Sequence, residues 1–404
     1  MKHGFMILAM TILFLLATLL SEYYIYSKEL SLVKGIYWRR LYIWGSVIIW
    51  GWTVVMYVLF KIFPNLPAGL FRFFEGTTPF FLFMCVAKII FAFFAWLGRV
   101  SRKRTLFYSA AIVVMIAVNC VMTYAATTGR WNIKVERADM VSERVPESLD
   151  GFRIAVFSDV HAGTLLDRHT ILRRMVREIN DLDADIVINC GDLINRHYTE
   201  LEPEILSILS GIKSTYGVYS AVGNHEMGKY ITMRGLTPEE NLCRIRELLG
   251  SIGWKLLIDT TVFIDVGEET ISVTGIGFPE ELIEKKSHAK LTRHTDYSYL
   301  YKDKVPGDFN ITISHTPRTW EDILATGRST LTLSGHVHAG QLKVRVAPKQ
   351  YWSPMAISYE HWGGMYSEDG RYLYVNNGIG YSMVPLRIGV KPEVTLIELR
   401  KCGS

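Results

Sequence analysis

Thiol chemistry is nearly absent from this chain. Its 404 residues include 5 cysteines. Cys85, Cys120, Cys190, Cys243 and Cys402 fall in no spacing that suggests a zinc knuckle or a disulfide framework, so they read as unpaired, mostly buried thiols. There is no internal repeat and no low-complexity stretch, which excludes a solenoid or a biased, unpacked tract. Charge is missing as well, but only locally. Residues 4–20, 41–60 and 105–129 contain no Asp, Glu, Lys or Arg, and residues 76–98 contain only Lys88.

Each of these runs is close to the roughly 20 residues that a membrane helix needs. The first run is long for a signal peptide, lacks a small-residue cleavage site and is followed by three more. The sequence therefore predicts four transmembrane helices within residues 1–128 and a soluble domain over residues 129–404. Lys88 has two readings: a functional intramembrane charge, or a lysine that snorkels or pairs with a carboxylate.

Charge divides along the same boundary. Residues 1–128 hold twelve Lys and Arg against three Glu, a net of +9, which leaves −4 of the chain's +5 for the remainder. A mildly acidic domain is a poor electrostatic partner for nucleic acid. Eight basic residues lie in the loops at 27–40 and 98–104, against Lys2, Lys61 and Arg72 on the alternate side. By the positive-inside rule the two basic loops face the cytoplasm, so the soluble domain faces the extracytoplasmic side.

Beyond a short polar tether at residues 127–151, with an opening strand near 133–137, strands and helices alternate. "FRIAVFS", "ADIVINC" and "GVYSAV" read as buried strands. Residues 168–180, 202–212 and 237–253 read as helices, the last with Thr237 as its N-cap. Closely spaced strands follow, including "TISVTGIG", "DFNITISH", "STLTLSG", "YLYVNNGIG" and "EVTLIELR". The pattern is that of an α/β layer fold with a second sheet packed on the first.

Polar residues collect at the strand ends. Asp159 and His161 end the first strand, and Gly191-Asp192 ends the second. Gly223-Asn224-His225-Glu226 ends the third, and His315 and His336-Val337-His338 end two later strands. The carboxyl ends of strands are where α/β sheets collect ligands. Carboxylate, amide and imidazole donors without thiolate suit Mn, Fe, Zn or similar ions, and a carboxylate can bridge two of them.

The series D-x-H, G-D, G-N-H-E, H and G-H-x-H resembles the calcineurin-like metallophosphoesterase superfamily over most of residues 152–340. "NNGIG" and "PLRIGVKPEVTLIEL" are similar to the end of its membrane-anchored branch. The resemblance implies a β-sandwich flanked by helices, two divalent metal ions and hydrolysis of a phosphoester or pyrophosphate. It implies that Asp159, His161 and His338 hold one ion, that Asn224, His315 and His336 hold the other, and that Asp192 bridges. His225 would face the substrate as the acid, and Arg196 matches in position a phosphate-binding Arg of some relatives.

This chain departs from the pattern at Asn195, where some members carry an Asp that orients the catalytic histidine. Either Asp159 or Glu226 supplies that charge here, or His225 is a weaker acid–base group. A further feature is the stretch 349–386, which holds Tyr351, Trp352, Met355, Tyr359, Trp362, Met365, Tyr366, Tyr381 and Met383. It is either an apolar rim for lipid or the packing of the last strands. With a membrane-anchored domain, the expected substrate is a phospholipid or lipid-linked pyrophosphate. The alternatives are soluble phosphoesters or phosphoproteins, or a non-catalytic membrane sensor or scaffold. The expected partner is the lipid bilayer; the sequence points to no protein partner.

Overall fold

The structure, a computed structural model, describes residues 2–62, 68–165, 167–228, 235–284, 289–301, 309–348, 350–382 and 384–403. Met383 of the aromatic stretch lies outside the described residues. The chain divides into two compact units, residues 1–128 with 383–386, and residues 129–382 with 387–404.

The first unit is helical. Helices α1 (Lys2–Tyr24), α2 (Ile36–Ile62) and α3 (Ala68–Val100) cover the first three apolar runs, and α4 (Arg104–Tyr124) with a π-helical turn at Ala125–Gly129 covers the fourth. Among the described residues, two segments, Arg72–Val100 and Arg104–Gly129, are long and apolar enough to cross a membrane. The sequence led us to expect four. Lys88 on α3 pairs with Glu22 on α1, and Ser46 on α2 donates to Glu22 Oε2 at 2.6 Å. Lys88 Nζ also donates to Ser46 Oγ at 3.0 Å. The lysine thus has a carboxylate partner in the bundle, which offsets the cost of a lone buried charge.

Among the described residues the second unit holds five α-helices and fourteen strands. In chain order the first strands are β1 (Lys134–Ser142), β2 (Arg153–Phe157), β3 (Ile186–Asn189), β4 (Val218–Ser220) and β5 (Lys255–Leu256). Then come β6 (Thr260–Val266), β7 (Glu269–Ile276), β8 (Asn310–Ser314) and β9 (Leu331–Ser334). The chain ends with β10 (Val344–Ala347), β11 (Gln350–Trp352), β12 (Gly364–Glu368), β13 (Arg371–Val375) and β14 (Glu393–Lys401). One sheet has the order β1-β14-β2-β3-β4-β5, another β12-β13-β9-β8-β7-β6, and β10-β11 is a separate hairpin.

Side-chain alternation builds the layers. Ile154 and Val156 of β2, with Ile186 and Ile188 of β3, pack against Ile311, Ile313, Leu331 and Leu333 of the other sheet. Ala155, Phe157 and Val187 point the opposite way, toward the helices. Successive strand residues face opposite sides, so an apolar run with no polar alternation marks a strand covered on both faces.

The covering helices are α5 (Arg168–Asn180), α6 (Pro203–Leu209) and α7 (Pro238–Ser251). Ile171, Leu172, Met175, Val176 and Ile179 form the buried stripe of α5. Thr237 caps α7 as expected: Glu240 N–H donates to Thr237 Oγ1 at 3.1 Å, and Thr237 N–H donates to Glu240 Oε2 at 3.0 Å. Two shorter helices, α8 (Glu280–Glu284) and α9 (Trp320–Ala325), complete the unit.

Several expectations change. The strand expected near 133–137 runs on to Ser142, where β1 pairs in parallel with β14. Cys190 is buried, but Cys120, Cys243 and Cys402 are exposed, so the thiols are not mostly interior. The aromatic stretch divides. Tyr359 and Tyr381 are buried, and Met355, Trp362 and Tyr366 pack on Trp320, Leu373 and Val375. Met365 packs between the sheets. Tyr351 and Trp352, on β11, stay exposed.

Candidate metal centre

Five loops, following β2, β3, β4, β8 and β9, converge at one end of the two sheets. The backbone is bent sharply there. Asp159 (φ 51°), His161 (φ 48°), Asp192 (φ 54°), His336 (φ 69°) and His338 (φ 51°) all occupy the left-handed region. Such conformations are uncommon for residues with a Cβ and persist only where surrounding contacts enforce them. Here Asp159 N–H donates to Gly191 O (2.9 Å), His161 N–H to Asp192 O (3.1 Å) and Gly380 N–H to Asp159 O (2.7 Å). Gly223 is required by close approach, since a Cβ there would lie 2.0 Å from Asp192 Oδ1.

The side chains meet inside this ring of loops. His338 Nε2 lies 3.2 Å from both Asp159 Oδ1 and His161 Nε2. Asp192 Oδ2 lies 3.0 Å from His315 Nε2, 3.8 Å from His225 Nε2 and 4.0 Å from His161 Nε2. Among the described residues, three groups have donor atoms mutually close enough for a metal ion: Asp159–His161–His338, His161–Asp192–His225 and Asp192–His315–His336. All are buried except His225, which is half-buried. Asn224 Oδ1 is also buried, and it has no hydrogen-bond partner among the described residues. An acceptor oxygen left in that state costs about 1–3 kcal/mol, and a cation would satisfy it.

Electrostatics agree with a cation site. Burial alone would raise the Asp159 carboxyl, but the facing His338 and His315 rings hold it well below its ordinary range. Burial also opposes ionisation of Asp192, and His315 and His225 more than offset it. Burial, with His225 beside it, keeps the His161 imidazole well below its ordinary value, in the neutral form that ligates metals. At His315, burial is outweighed by Asp192 and Asp159, which push the ring up to about 9. Two converging carboxylates that hold a proton on a neighbouring ring are a place where a cation can take over the proton's role. The donor set therefore fits divalent ions.

The surroundings fix the rings. His315 Nδ1 faces Cys190 O at 2.8 Å, which leaves Nε2 turned to the carboxylates. His225 Nδ1 faces the backbone oxygen of Asn195 at 2.5 Å. Neither charge source expected for His225 takes that position. The Glu226 carboxylate accepts N–H groups from Gly223 (2.8 Å), Asp192 (2.9 Å) and Ile194 (3.1 Å). Asp159 accepts from His336 N–H at 3.0 Å. Arg196 sits half-buried in the loop after β3, its N–H on Glu200 Oε1.

Sequence reasoning passed over Arg387. It is 2% exposed, and its guanidinium donates to the carbonyls of Gly380 (3.0 Å), Asn377 (3.0 Å) and Gly378 (3.0 Å), with Nη2 3.5 Å from His338 Nδ1. Burial brings its pKa down to about 10, still a cation at neutral pH. It ties the loop after β13 beneath His338. Arg387 lies within the stretch "PLRIGVKPEVTLIEL", but nothing in that local pattern names the carbonyls or the histidine it meets.

Residues 152–340 match the family model described as calcineurin-like phosphoesterase. This part of the chain is a calcineurin-like metallophosphoesterase domain, a family that uses a dinuclear metal centre. The chain is similar to the "transmembrane protein with metallophosphoesterase domain" of Danio rerio, 27% identical over 73% of this chain and 63% of that protein. It is also similar to the uncharacterized metallophosphoesterase YkuE of Bacillus subtilis, 27% identical over 64% of this chain and 82% of that one. The chain thus spans less than two thirds of the Danio rerio relative. A solved dimetal phosphatase from Danio rerio is 13% identical with a TM-score of 0.34, covering 57% of this chain and 88% of that one, a likeness too weak to bear on the site.

Proposed function

We propose that this protein is a membrane-anchored, metal-dependent phosphoric ester hydrolase acting on a lipid or lipid-linked phosphoester or pyrophosphate. The observation that carries the hydrolase reading is the convergence of Asp159, His161, Asp192, His315, His336 and His338 in two donor groups, with the orphaned Asn224 Oδ1 beside His225 in sequence.

In this reading Asp159, His161 and His338 would hold one ion, Asn224, His315 and His336 would hold the other, and Asp192 would contribute to both. Bound ions would supply a water of lowered pKa and neutralise charge on the phosphoryl oxygens. The chain's own residues do the rest. His225, oriented through Nδ1, carries on Nε2 the proton that goes to the leaving oxygen, an effect typically worth about 10²–10⁴-fold. The Arg196 guanidinium offsets phosphoryl charge as the substrate binds. Metal identity within the Mn, Fe and Zn group follows availability.

The lipid half of the proposal draws on the two apolar helices, on the name of the Danio rerio relative, and on the β10–β11 hairpin. That hairpin begins three residues after the short turn His338–Gln341, and Val344, Val346, Tyr351 and Trp352 on it are exposed. Exposed apolar and aromatic residues of this kind favour a membrane interface. The basic loops at 27–40 and 98–104 favour four spans with the catalytic domain on the extracytoplasmic side. One observation favours soluble phosphoesters instead: most of the aromatic stretch is core packing rather than rim.

The test is phosphate release by metal-loaded, full-length protein in proteoliposomes, from vesicle-borne phospholipid or lipid pyrophosphate and from a soluble aryl phosphate. Turnover of the lipid supports the proposal. Turnover of the aryl phosphate alone favours soluble substrates, and metal binding without turnover favours the sensor or scaffold reading.

A further inference from the structure

The peptide group between Asn195 and Arg196 is hydrogen-bonded at both ends. Its carbonyl oxygen faces His225 Nδ1 at 2.5 Å, and its N–H donates to Glu200 Oε1 at 2.8 Å. Glu200 Oε2 accepts the N–H of Asn195 at 2.6 Å. The glutamate is 8% exposed. A buried carboxylate therefore stands one peptide unit away from the His225 ring, on the far side of the group that orients it.

We propose that Glu200 is the positioning carboxylate of His225 and acts through the Asn195–Arg196 peptide. The proposal rests on the hydrolase reading above. A charged acceptor on an amide N–H polarises the amide, and the carbonyl becomes a stronger acceptor in turn. His225 Nδ1–H is then held firmly and Nε2 stays aimed into the metal cluster, 3.8 Å from Asp192 Oδ2. This answers the departure at Asn195. Its side chain carries no charge, but its backbone relays one.

A second observation ties Glu200 to the site. A Cβ on Gly163 would lie 2.3 Å from the Glu200 carboxyl carbon. Gly163, two residues after His161, thus leaves room for this carboxylate. Capping does not account for the arrangement. Glu200 also meets His197 N–H at 3.4 Å, closing the turn Tyr198–Glu200. Its two shorter contacts go to Asn195 and Arg196 instead.

The experiment uses full-length, zinc-loaded protein and two variants. Glu200→Gln keeps the shape and removes the charge, and Gly163→Ala displaces the carboxylate without removing it. Each is expected to retain metal and KM, and to lower kcat about tenfold for an alkyl phosphate, in line with the worth of a hydrogen bond to a charged group. The loss should be much smaller for an aryl phosphate with a good leaving group. The His225 Nδ1–H proton resonance, assigned by its loss in His225→Ala, should move upfield in both. Equal loss for both leaving groups with an unmoved resonance would overturn the proposal. If Glu200→Gln does not fold, wild-type behaviour of Gly163→Ala in both readouts overturns it. If the wild type turns over no phosphoester, the hydrolase reading fails, and the resonance alone still decides the relay.

Discussion

Asp192 and His315 meet at 3.0 Å, Oδ2 to Nε2, although they follow strands of different sheets, β3 and β8. The candidate site is therefore a seam between the two layers, and the layers must pack correctly before the donors converge. Folding and metal binding are linked by that geometry.

Asp192→Asn should abolish turnover and lower metal content. The residue offers Oδ2 to His315, His161 and His225 at once, and an amide would place an uncharged group there. Elemental analysis of the purified variant checks it. A full metal load with normal turnover would remove Asp192 from the centre.

His225→Ala should keep its metal and slow catalysis by about 10²–10⁴-fold for basic leaving groups, the range of a lost general acid. Plots of rate against leaving-group pKa for wild type and variant provide the measurement. Parallel slopes would exclude His225 as the acid.

Arg387→Met should cost at least about 3 kcal/mol of stability, because several buried carbonyls lose their donor together. Metal affinity should fall as well, since the loop beneath His338 loosens. Denaturant melts and metal titration test both. Normal stability would show that water or backbone shifts replace the guanidinium.

Stability should also fall in mild acid through His361. Its ring stands edge-on to Trp320 and Tyr366, each at 4.7 Å. Burial depresses its pKa below the ordinary 6.5, against the opposing pull of Glu360, Glu321 and Glu368. The unfolded chain therefore binds the extra proton first as pH drops. This contribution is constant above 6.5 and is lost as pH falls from 6.5 through the folded value. Between pH 7 and 5, Tm should fall less in His361→Gln than in the wild type. An equal fall in both would show that other groups control the acid limb.

The parts of this protein legible in its sequence were those with local signals. The strands β2, β3, β8 and β9 announce themselves as apolar runs, and each precedes a cluster of metal-type donors. The Thr237 capping box was visible for the same reason. What could not be read was built from backbone or from distant pairs. β14 enters the first sheet between β1 and β2, a pairing that no local pattern encodes. The Asn195 carbonyl serves His225 whatever side chain residue 195 bears, and Glu200 reaches it through loop geometry alone. Glu22 and Lys88 lie 66 residues apart, so the sequence raised the question of a partner without naming it.

As proposed, the Asp159–His161–Asp192–Asn224–His315–His336–His338 constellation is a dinuclear phosphoesterase centre. The most direct measurement is metal stoichiometry and phosphate release, followed together as metal-stripped, full-length protein is titrated with Mn or Zn. About two ions per chain are expected, with hydrolysis appearing as the second site fills. Hydrolysis that persists in the stripped protein, or binding of two ions with no hydrolysis of any phosphoester, would contradict it.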